Sequence, residues 1–346
     1  MRKQDPTEED EEPLEDKTEA LPLRSKRLER LKRKQEKKRY KSSESKHLLD
    51  LPEELLLDIL TLLQPSDVFV FSRTCRTTHS FVQHHESLLA KRIIDFRYAV
   101  LAQCFRAPAQ LQSVDPSLHA ALQSPSRRAL LELHKKAYAH IAPPDPSQLC
   151  TCLTCVLRWN ALNAALDFAH WQAHLDSGTP LPVIARGTQP AWNAALTARH
   201  AALVTAALAS PLRHAALLQT HLASTVRAVA RHAANKGDRR PRFRMSAEEA
   251  RCGTDAFLER SGPPSVDVPF HRDNYYLLQA FLPGRGWDGD KGCWVYVPES
   301  QHDVDVGLVV KWVERKREEM KGEVEDAVML KGGSDTPQMH GLTLKT

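Results

Sequence analysis

The segment LPEELLLDILTLL, residues 51–63, contains eight Leu or Ile residues in thirteen positions. It is too short to cross a membrane, because a transmembrane helix needs about 20 apolar residues. Pro52 suits the first turn of a helix, where its missing N–H group would have no partner in any case. We therefore expect a short helix that begins near Pro52 and is unusually rich in leucine.

The apolar residues of this helix cover too wide an arc for a single supporting surface. At ~100° per residue they span roughly 160°, whereas one packing face requires roughly 100°. We therefore expect the helix to contact apolar material on two sides, one in its own chain and the other in a buried interior or a partner protein. In order around the helix, these residues are Leu62, Leu55, Ile59, Leu63, Leu56 and Leu60.

The residues that follow add further anchors at fixed spacing. A turn at Gln64-Pro65 leads to a short apolar element, 68–71, and then to Cys75 and Phe81. The whole segment, DLPEELLLDILTLLQPSDVFVFSRTCRTTHSFV at 50–82, resembles the F-box, a three-helix module. One departure is Thr78, where the family often has tryptophan. The matching anchors are Leu51, Pro52, Glu54, Ile59, Leu60, Leu63, Pro65, Asp67, Val68, Ser72, Cys75, Arg76 and Phe81.

This resemblance implies both a partner and a function. F-box proteins dock onto the Skp adaptor of Skp–cullin–F-box ubiquitin ligases, and the residues after the box bind a protein substrate. The sequence over 152–172 resembles fungal-type members of the family. The chain would be the substrate-recognition subunit and not an enzyme, with no catalytic residue and no cofactor. Carried over by position, its Skp-facing residues are Leu51, Pro52, Ile59, Leu60, Leu63, Val68 and Phe71.

Three other interpretations stay open at this point. The leucine-rich helix could be a plain buried element at the start of an all-α domain. The chain could be a Skp-binding scaffold outside ubiquitination. It could also be a metal or thiol enzyme that uses Cys150, Cys152 and Cys155.

The charge of the chain is concentrated in its first 46 residues. Residues 1–20 hold nine acidic and three basic residues, whereas residues 24–46 hold twelve basic and three acidic ones. Such a segment buries too little apolar surface to offset its ordering entropy, so we expect 1–46 to be a disordered charged arm with transient helix over 24–41. Its basic clusters resemble a nuclear-import signal, with a solubilising arm as the alternative. We expect the protein in the nucleus and the cytoplasm.

The rest of the chain is close to neutral, so a nucleic-acid partner is not expected. No apolar run approaches membrane length, so no membrane partner is expected either. The seven cysteines are an odd number in a long chain, which favours free thiols in a reducing compartment. The expected partners are the Skp adaptor, the cullin scaffold and an unidentified protein substrate.

A mainly α fold is predicted beyond the leucine-rich helix. We expect an F-box domain over 47–100, a helical substrate-recognition domain over 101–320 and a flexible tail over 321–346. Sixteen alanines in 190–235 favour helix, and Pro211 should divide this segment into two helices. Strand-like composition over 275–282 and 293–297 predicts a small β hairpin, with the intervening segment GRGWDG as its loop and not as a dinucleotide site.

The segment CTCLTC places Cys150, Cys152 and Cys155 together. A C-x2-C pair is frequent in structural zinc sites, but such a site needs four ligands. His170 and His174 would lie more than ~20 Å away along the following helix, at ~1.5 Å per residue. His134 and His140 precede the cysteines and would have to fold back.

No metal ligands are therefore assigned, and we expect the segment 101–320 to purify without stoichiometric zinc. A further interpretation of the same residues is a redox-active pair, Cys152-x-x-Cys155, at a helix N-terminus, although no βαβ pattern surrounds it. The simplest interpretation is that these cysteines are buried, unreactive thiols at the start of a helix.

Two other histidine patterns suggest chemistry. HRDN at 271–274 resembles a kinase catalytic loop, but Leu278 stands where that motif requires asparagine. His271, Asp273 and His302 offer the composition of a two-histidine, one-carboxylate iron site, a spacing that is common by chance. We expect the remaining histidines of the Ala-rich helices on the surface, namely His200, His214, His221 and His232.

Overall fold

A computed structural model describes residues 26–43, 48–185, 187–235, 237, 242–260, 262 and 268–332. Within these ranges the chain is mainly helical with a two-stranded antiparallel hairpin, which confirms the fold class predicted from the sequence. None of the described helices combines the length and the apolar character that a membrane span requires. The chain divides into two units, Met1–Glu53 and Glu54–Thr346.

The first unit contains helix α1, Lys26–Ser43, and a single 3-10 turn, Leu48–Asp50. Helix α1 coincides with most of the segment where the sequence predicts transient helix. Its exposed side chains include Arg30, Lys32 and Lys37, so the helix presents basic residues to solvent. The rest of the predicted charged arm lies outside the described residues.

The F-box segment forms helices α2 Glu53–Thr61, α3 Pro65–Ser72, α4 Arg76–His84 and α5 Glu86–Arg97. Pro65 occupies the first turn of α3. At the start of α4, the Thr78 N–H donates to Cys75 Sγ at 3.5 Å and the Cys75 N–H donates to Thr78 Oγ1 at 3.2 Å. Thr78, the departure from the family pattern, is buried and completes a capping box that stabilises the beginning of α4.

The helices after the box surround α9, which is buried along most of its length. Ser210 caps α12 and Pro211 lies in its first turn, so the Ala-rich segment is divided where the sequence predicts. Helix α15 includes the first part of the predicted flexible tail, and residues 333–346 lie outside the described ranges. The helices are α6 Ala99–Cys104, α7 Pro116–Leu122, α8 Pro125–Ala137, α9 Leu153–His170, α10 Gln172–Ser177, α11 Ala191–Leu208, α12 Pro211–Ala234, α13 Ala247–Cys252, α14 Phe257–Arg260 and α15 Gln301–Gly332.

One hydrophobic core runs through the second unit, from the box helices into the helical region. Helix α12 packs against α3 and α5 of the box and against α9 and α11. Gln219 on α12 donates its Nε2–H to Gln64 Oε1 at 2.7 Å, and the Leu101 N–H donates to Asp255 Oδ2 at 2.7 Å. Val100, where the sequence predicts a domain boundary, is buried in this shared core.

The β hairpin begins later than the sequence predicts. Strand β1, Arg285–Asp288, pairs with β2, Cys293–Tyr296. A strand over 275–282 is a wrong prediction, because 3-10 turn Arg272–Leu277 occupies its start and Tyr275 is buried there. The segment GRGWDG supplies β1 itself. The connecting turn ends at Gly292, whose φ of +62° favours glycine.

Candidate functional site

Helix α2 packs one apolar face into the core of the second unit. Leu56, Leu57 and Leu60 are all buried in that core. Arg92 on α5 forms an ion pair with Asp58 of α2 at 3.0 Å. The guanidinium of Arg97 also donates a hydrogen bond to the carbonyl of Leu62, just after the end of α2. The orientation of α2 is therefore set by the rest of the box.

A second apolar face of the same helix is in solvent. Leu55, Ile59 and Leu62 expose 51%, 39% and 61% of their surface. They are spaced at i, i+4 and i+7, so they form one stripe along α2 and the first residue after it. We call these three residues the α2 stripe. Exposed apolar groups that occur together, in contrast to single ones, are typical of interaction surfaces.

The predicted Skp-facing residues differ in their surroundings. Leu51 and Pro52 lie in the first unit and are exposed, and Ile59 belongs to the α2 stripe. Leu63 and Phe71 are half-buried against the core. These five residues keep at least part of their surface outside the core.

Leu60 and Val68 have no such surface, because they are 1% and 0% exposed. They hold the box helices together in this structure, and their Skp-facing role stays a prediction. Leu55 and Leu62 are far more exposed, although the residue-by-residue comparison with the family does not select them. Their position at the outer end of the predicted apolar arc is the sequence signal that identifies them.

The cysteines of the CTCLTC segment form a cluster with a distant histidine. One ligand atom from each of Cys150, Cys152, Cys155 and His302 lies within 4.8 Å of every other. We call these four residues the cysteine–histidine cluster. Within the part of the chain that the structure describes, no other group of three or more His, Cys, Asp or Glu side chains has comparable geometry. His302 therefore lies with the cysteines and does not form the iron-type set with His271 and Asp273.

The cluster joins the start of α9 to the first turn of α15. Cys152 is the N-cap of α9 and Cys155 lies in its first turn. Asp305, one turn after His302, accepts hydrogen bonds from the Thr154 N–H at 2.9 Å and from the Thr154 hydroxyl at 2.6 Å. Local spacing in the sequence gives no signal for this fourth residue, because packing between two distant helices brings it to the cysteines.

A buried polar network lies on another part of α9. Asp167 is fully buried and accepts hydrogen bonds from Arg272 Nε at 2.8 Å and Arg272 Nη2 at 3.0 Å. The Tyr275 hydroxyl donates to the same carboxylate at 2.8 Å, and Trp171 Nε1 donates at 3.2 Å. Arg272 comes from the HRDN segment, so this segment acts as an internal brace of the helical region.

Two histidines that the sequence predicts on the surface are buried. His221 contacts the rings of Phe105 and Phe281, and its Nε2 lies 2.9 Å from the carbonyl oxygen of Phe281. Burial lowers the pKa of His221 to about 4. His200 lies 3.9 Å from Asp167, and burial lowers its pKa to about 4 as well. Both predictions are wrong because α11 and α12 pack against α9 and against each other, which encloses the rings.

The fold and the α2 stripe together define a helical protein with an exposed apolar face on its box helices. Residues 48–89 match the family model of the F-box domain, so the chain contains an F-box domain. The match includes α2, α3 and α4, where the stripe and the capping box lie. No curated protein and no solved structure matches the chain significantly. The F-box indicates a Skp-binding adaptor of the Skp–cullin–F-box class.

Proposed function

We propose that this chain is the substrate-recognition subunit of a Skp–cullin–F-box ubiquitin ligase. The observation that carries the proposal is the α2 stripe, which lies inside the F-box match and leaves Leu55, Ile59 and Leu62 in solvent. A folded monomer gains no stability from apolar side chains in water, whereas a partner that covers them does. The Skp adaptor is the partner that the family indicates.

The α2 stripe alone contributes only part of the binding free energy that a stable complex needs. Full burial of a Leu or Ile side chain contributes about 1.5–3 kcal/mol, so three half-exposed side chains contribute roughly 3 kcal/mol, or about a hundredfold in affinity. Further contacts are needed for tight binding. Leu51 and Pro52, which the family resemblance assigns to the Skp-facing set, are exposed and suited to supply them.

The helical region is the proposed place for the substrate. Helix α12 packs against α3 and α5 of the box, so the box and the helical region share one core within the second unit. A substrate bound to the helical region would then be held at a fixed position relative to the adaptor. In this proposal the chain does no chemistry itself, and the cullin-bound partners transfer ubiquitin.

A reconstituted ligase tests this role. The full chain is assembled with Skp and cullin, proteins that it captures from an extract are identified, and their ubiquitination is measured. We expect Leu55→Asp with Leu62→Asp to keep the captured protein but to abolish its ubiquitination. Leu203→Asp is the matched control, because Leu203 is 48% exposed on α11, outside the box. This control should leave ubiquitination unchanged.

A different result would favour the scaffold alternative. If the chain binds Skp and captures partners, but none of them is ubiquitinated in a way that depends on the α2 stripe, the receptor role is contradicted. The thiol-enzyme alternative receives little support from the geometry. Cys150, Cys152 and Cys155 are all buried, so a substrate has no direct access to their sulfur atoms.

We also propose that the basic arm directs part of the protein to the nucleus, with the remainder in the cytoplasm. The exposed basic side chains of α1 support this role. Fusing residues 24–46 to a cytosolic reporter should concentrate the reporter in the nucleus. Replacing Lys32, Arg33, Lys34, Lys37, Lys38 and Arg39 with Ala should abolish that concentration. A uniformly distributed wild-type fusion would contradict the import role and leave a solubilising arm.

A further inference from the structure

We propose that the cysteine–histidine cluster binds one zinc ion, with Cys150, Cys152, Cys155 and His302 as its four ligands. The pairwise limit of 4.8 Å between the ligand atoms carries the proposal. In a tetrahedral site with Zn–S bonds of about 2.3 Å, sulfur atoms lie about 3.8 Å apart. A contraction on the order of 1 Å or less therefore converts the cluster into a zinc site. Three thiolates and one imidazole are a set that zinc commonly takes in structural sites.

The backbone around the cysteines is arranged to stabilise thiolates. The Cys152 N–H donates to Cys150 Sγ at 3.5 Å, and the Cys155 N–H donates to Cys152 Sγ at 3.5 Å. The Ala109 N–H donates to Cys155 Sγ at 3.3 Å. Each sulfur thus accepts a hydrogen bond from a main-chain amide. Such outer contacts orient metal ligands and reduce the charge on the sulfur atoms.

His302 is oriented for coordination through Nε2. Its Nδ1 lies 3.0 Å from Oδ1 of Asp303, an arrangement that favours the proton on Nδ1 and a lone pair on Nε2. Nε2 is buried and has no hydrogen-bond partner among the described residues. A buried nitrogen without a partner is unfavourable, and a bound metal ion would satisfy it.

The surroundings also balance the charge of a loaded site. Binding of Zn²⁺ releases the three thiol protons, so three thiolates and one neutral imidazole leave a net charge of −1. The guanidinium of Arg127 interacts electrostatically with Cys150 and Cys152. Its Nε donates to the carbonyl of Thr151 at 2.9 Å, which places the cation beside the cysteine segment. Arg127 therefore offsets the charge of the site.

The role of the ion would be to fasten α15 to the helical region. A small hydrophobic cluster, separate from the main core, contains the three cysteines together with Val306, Val309 and Val313 of α15. This cluster contains far fewer buried residues than the main core, and metal–ligand bonds at its end would add stability. Four protein ligands leave no open position for substrate, so the site is structural and not catalytic. This inference stands independently of the ubiquitin-ligase role.

Metal analysis of the full chain tests the proposal. Protein purified without chelator should contain about one zinc per chain, in contrast to the zinc-free segment 101–320 that local spacing in the sequence predicts, and His302→Ala or Cys152→Ser should lose it. Cys293→Ser is the matched control, because Cys293 is an exposed cysteine outside the cluster. This control should keep the zinc. Circular dichroism establishes that each variant is folded.

A second measurement does not depend on the folding of any variant. Exchange of the wild-type ion for Co²⁺ should produce the strong visible bands of a tetrahedral site and the near-ultraviolet bands of thiolate ligands. The expected zinc together with these bands supports the proposal. Absence of zinc, retention of zinc in Cys152→Ser, iron in its place, or a disulfide among the three cysteines would overturn it.

Discussion

The box helices and the helical region differ from the usual pattern of apolar residues inside and charged residues outside, and they differ from it in opposite ways. Helix α2 leaves Leu55, Ile59 and Leu62 in solvent, whereas α9 takes Asp167 into the interior with Arg272. Exposed apolar area becomes favourable only when a partner covers it, so the first arrangement suits association. A buried charge is tolerated when its own chain supplies an opposite charge and hydrogen bonds, so the second arrangement holds the protein together.

The largest expected effect comes from the buried pair. Asp167→Asn should reduce the free energy of unfolding by about 3–5 kcal/mol, because it leaves Arg272 charged and uncompensated in the interior. Asp58→Asn removes the exposed pair with Arg92, which is 46% exposed, and should cost no more than about 1 kcal/mol. Urea unfolding of the two variants measures the contrast. Equal losses would show that the buried network does not brace the fold.

Substitutions on the two faces of α2 should have different effects on the free energy of unfolding in the same experiment. Leu60→Ala should cost about 2–5 kcal/mol, because Leu60 is buried in the core of the second unit. Leu62→Ala removes a side chain that is largely in solvent and should change the free energy of unfolding by about 0.5 kcal/mol or less. A large loss for Leu62→Ala would place the α2 stripe in the packing of the monomer.

The buried histidines predict a loss of stability in mild acid. The unfolded chain takes up a proton at the ordinary histidine pKa of 6.5, whereas burial holds the pKa of His221 at about 4 in the folded chain. Stability is therefore fully present above pH 6.5 and falls as the pH decreases toward 4, by up to about 1.4 kcal/mol per pH unit for each such histidine.

The free energy of unfolding, measured with urea at a series of pH values, should depend less steeply on pH in His221→Gln. The difference from the wild type should equal the contribution of one buried histidine. His79→Gln, at an exposed position, is the control and should keep the wild-type slope. Asp255, whose pKa burial raises to about 6, titrates in the opposite sense. It is present in all three proteins and cancels in the comparison. An unchanged slope in His221→Gln would contradict the assigned pKa.

The features that were predictable from the sequence lie within short stretches of chain. Around α2, the predicted order of the arc runs from Leu62, Leu55 and Ile59, which are exposed, through half-buried Leu63 to the buried Leu60. A helical period encodes this gradient directly, because each residue's direction follows from its number. Pro211 likewise marks a helix boundary through its missing N–H alone.

The features that were missed depend on distant parts of the chain. His302 joins the cysteines because α15 packs against the start of α9, where Asp305 accepts a hydrogen bond from Thr154. Asp167 meets Arg272 for a similar reason, because the two residues are 105 positions apart in the sequence. Local spacing contains no information on such pairs, so the helical region was predictable as helices but not as a set of sites.

The affinity of the chain for Skp, measured by calorimetry, tests most directly whether the α2 stripe is a docking surface. We expect the wild-type chain to bind and Leu55→Asp with Leu62→Asp to bind at least about tenfold more weakly, because anchors at an interface typically cost about 2 kcal/mol or more each. Leu51→Ala with Pro52→Ala should weaken binding by a similar factor, and the thermal unfolding of both variants should match the wild type. An unchanged affinity, or no binding by the wild-type chain, would contradict the account.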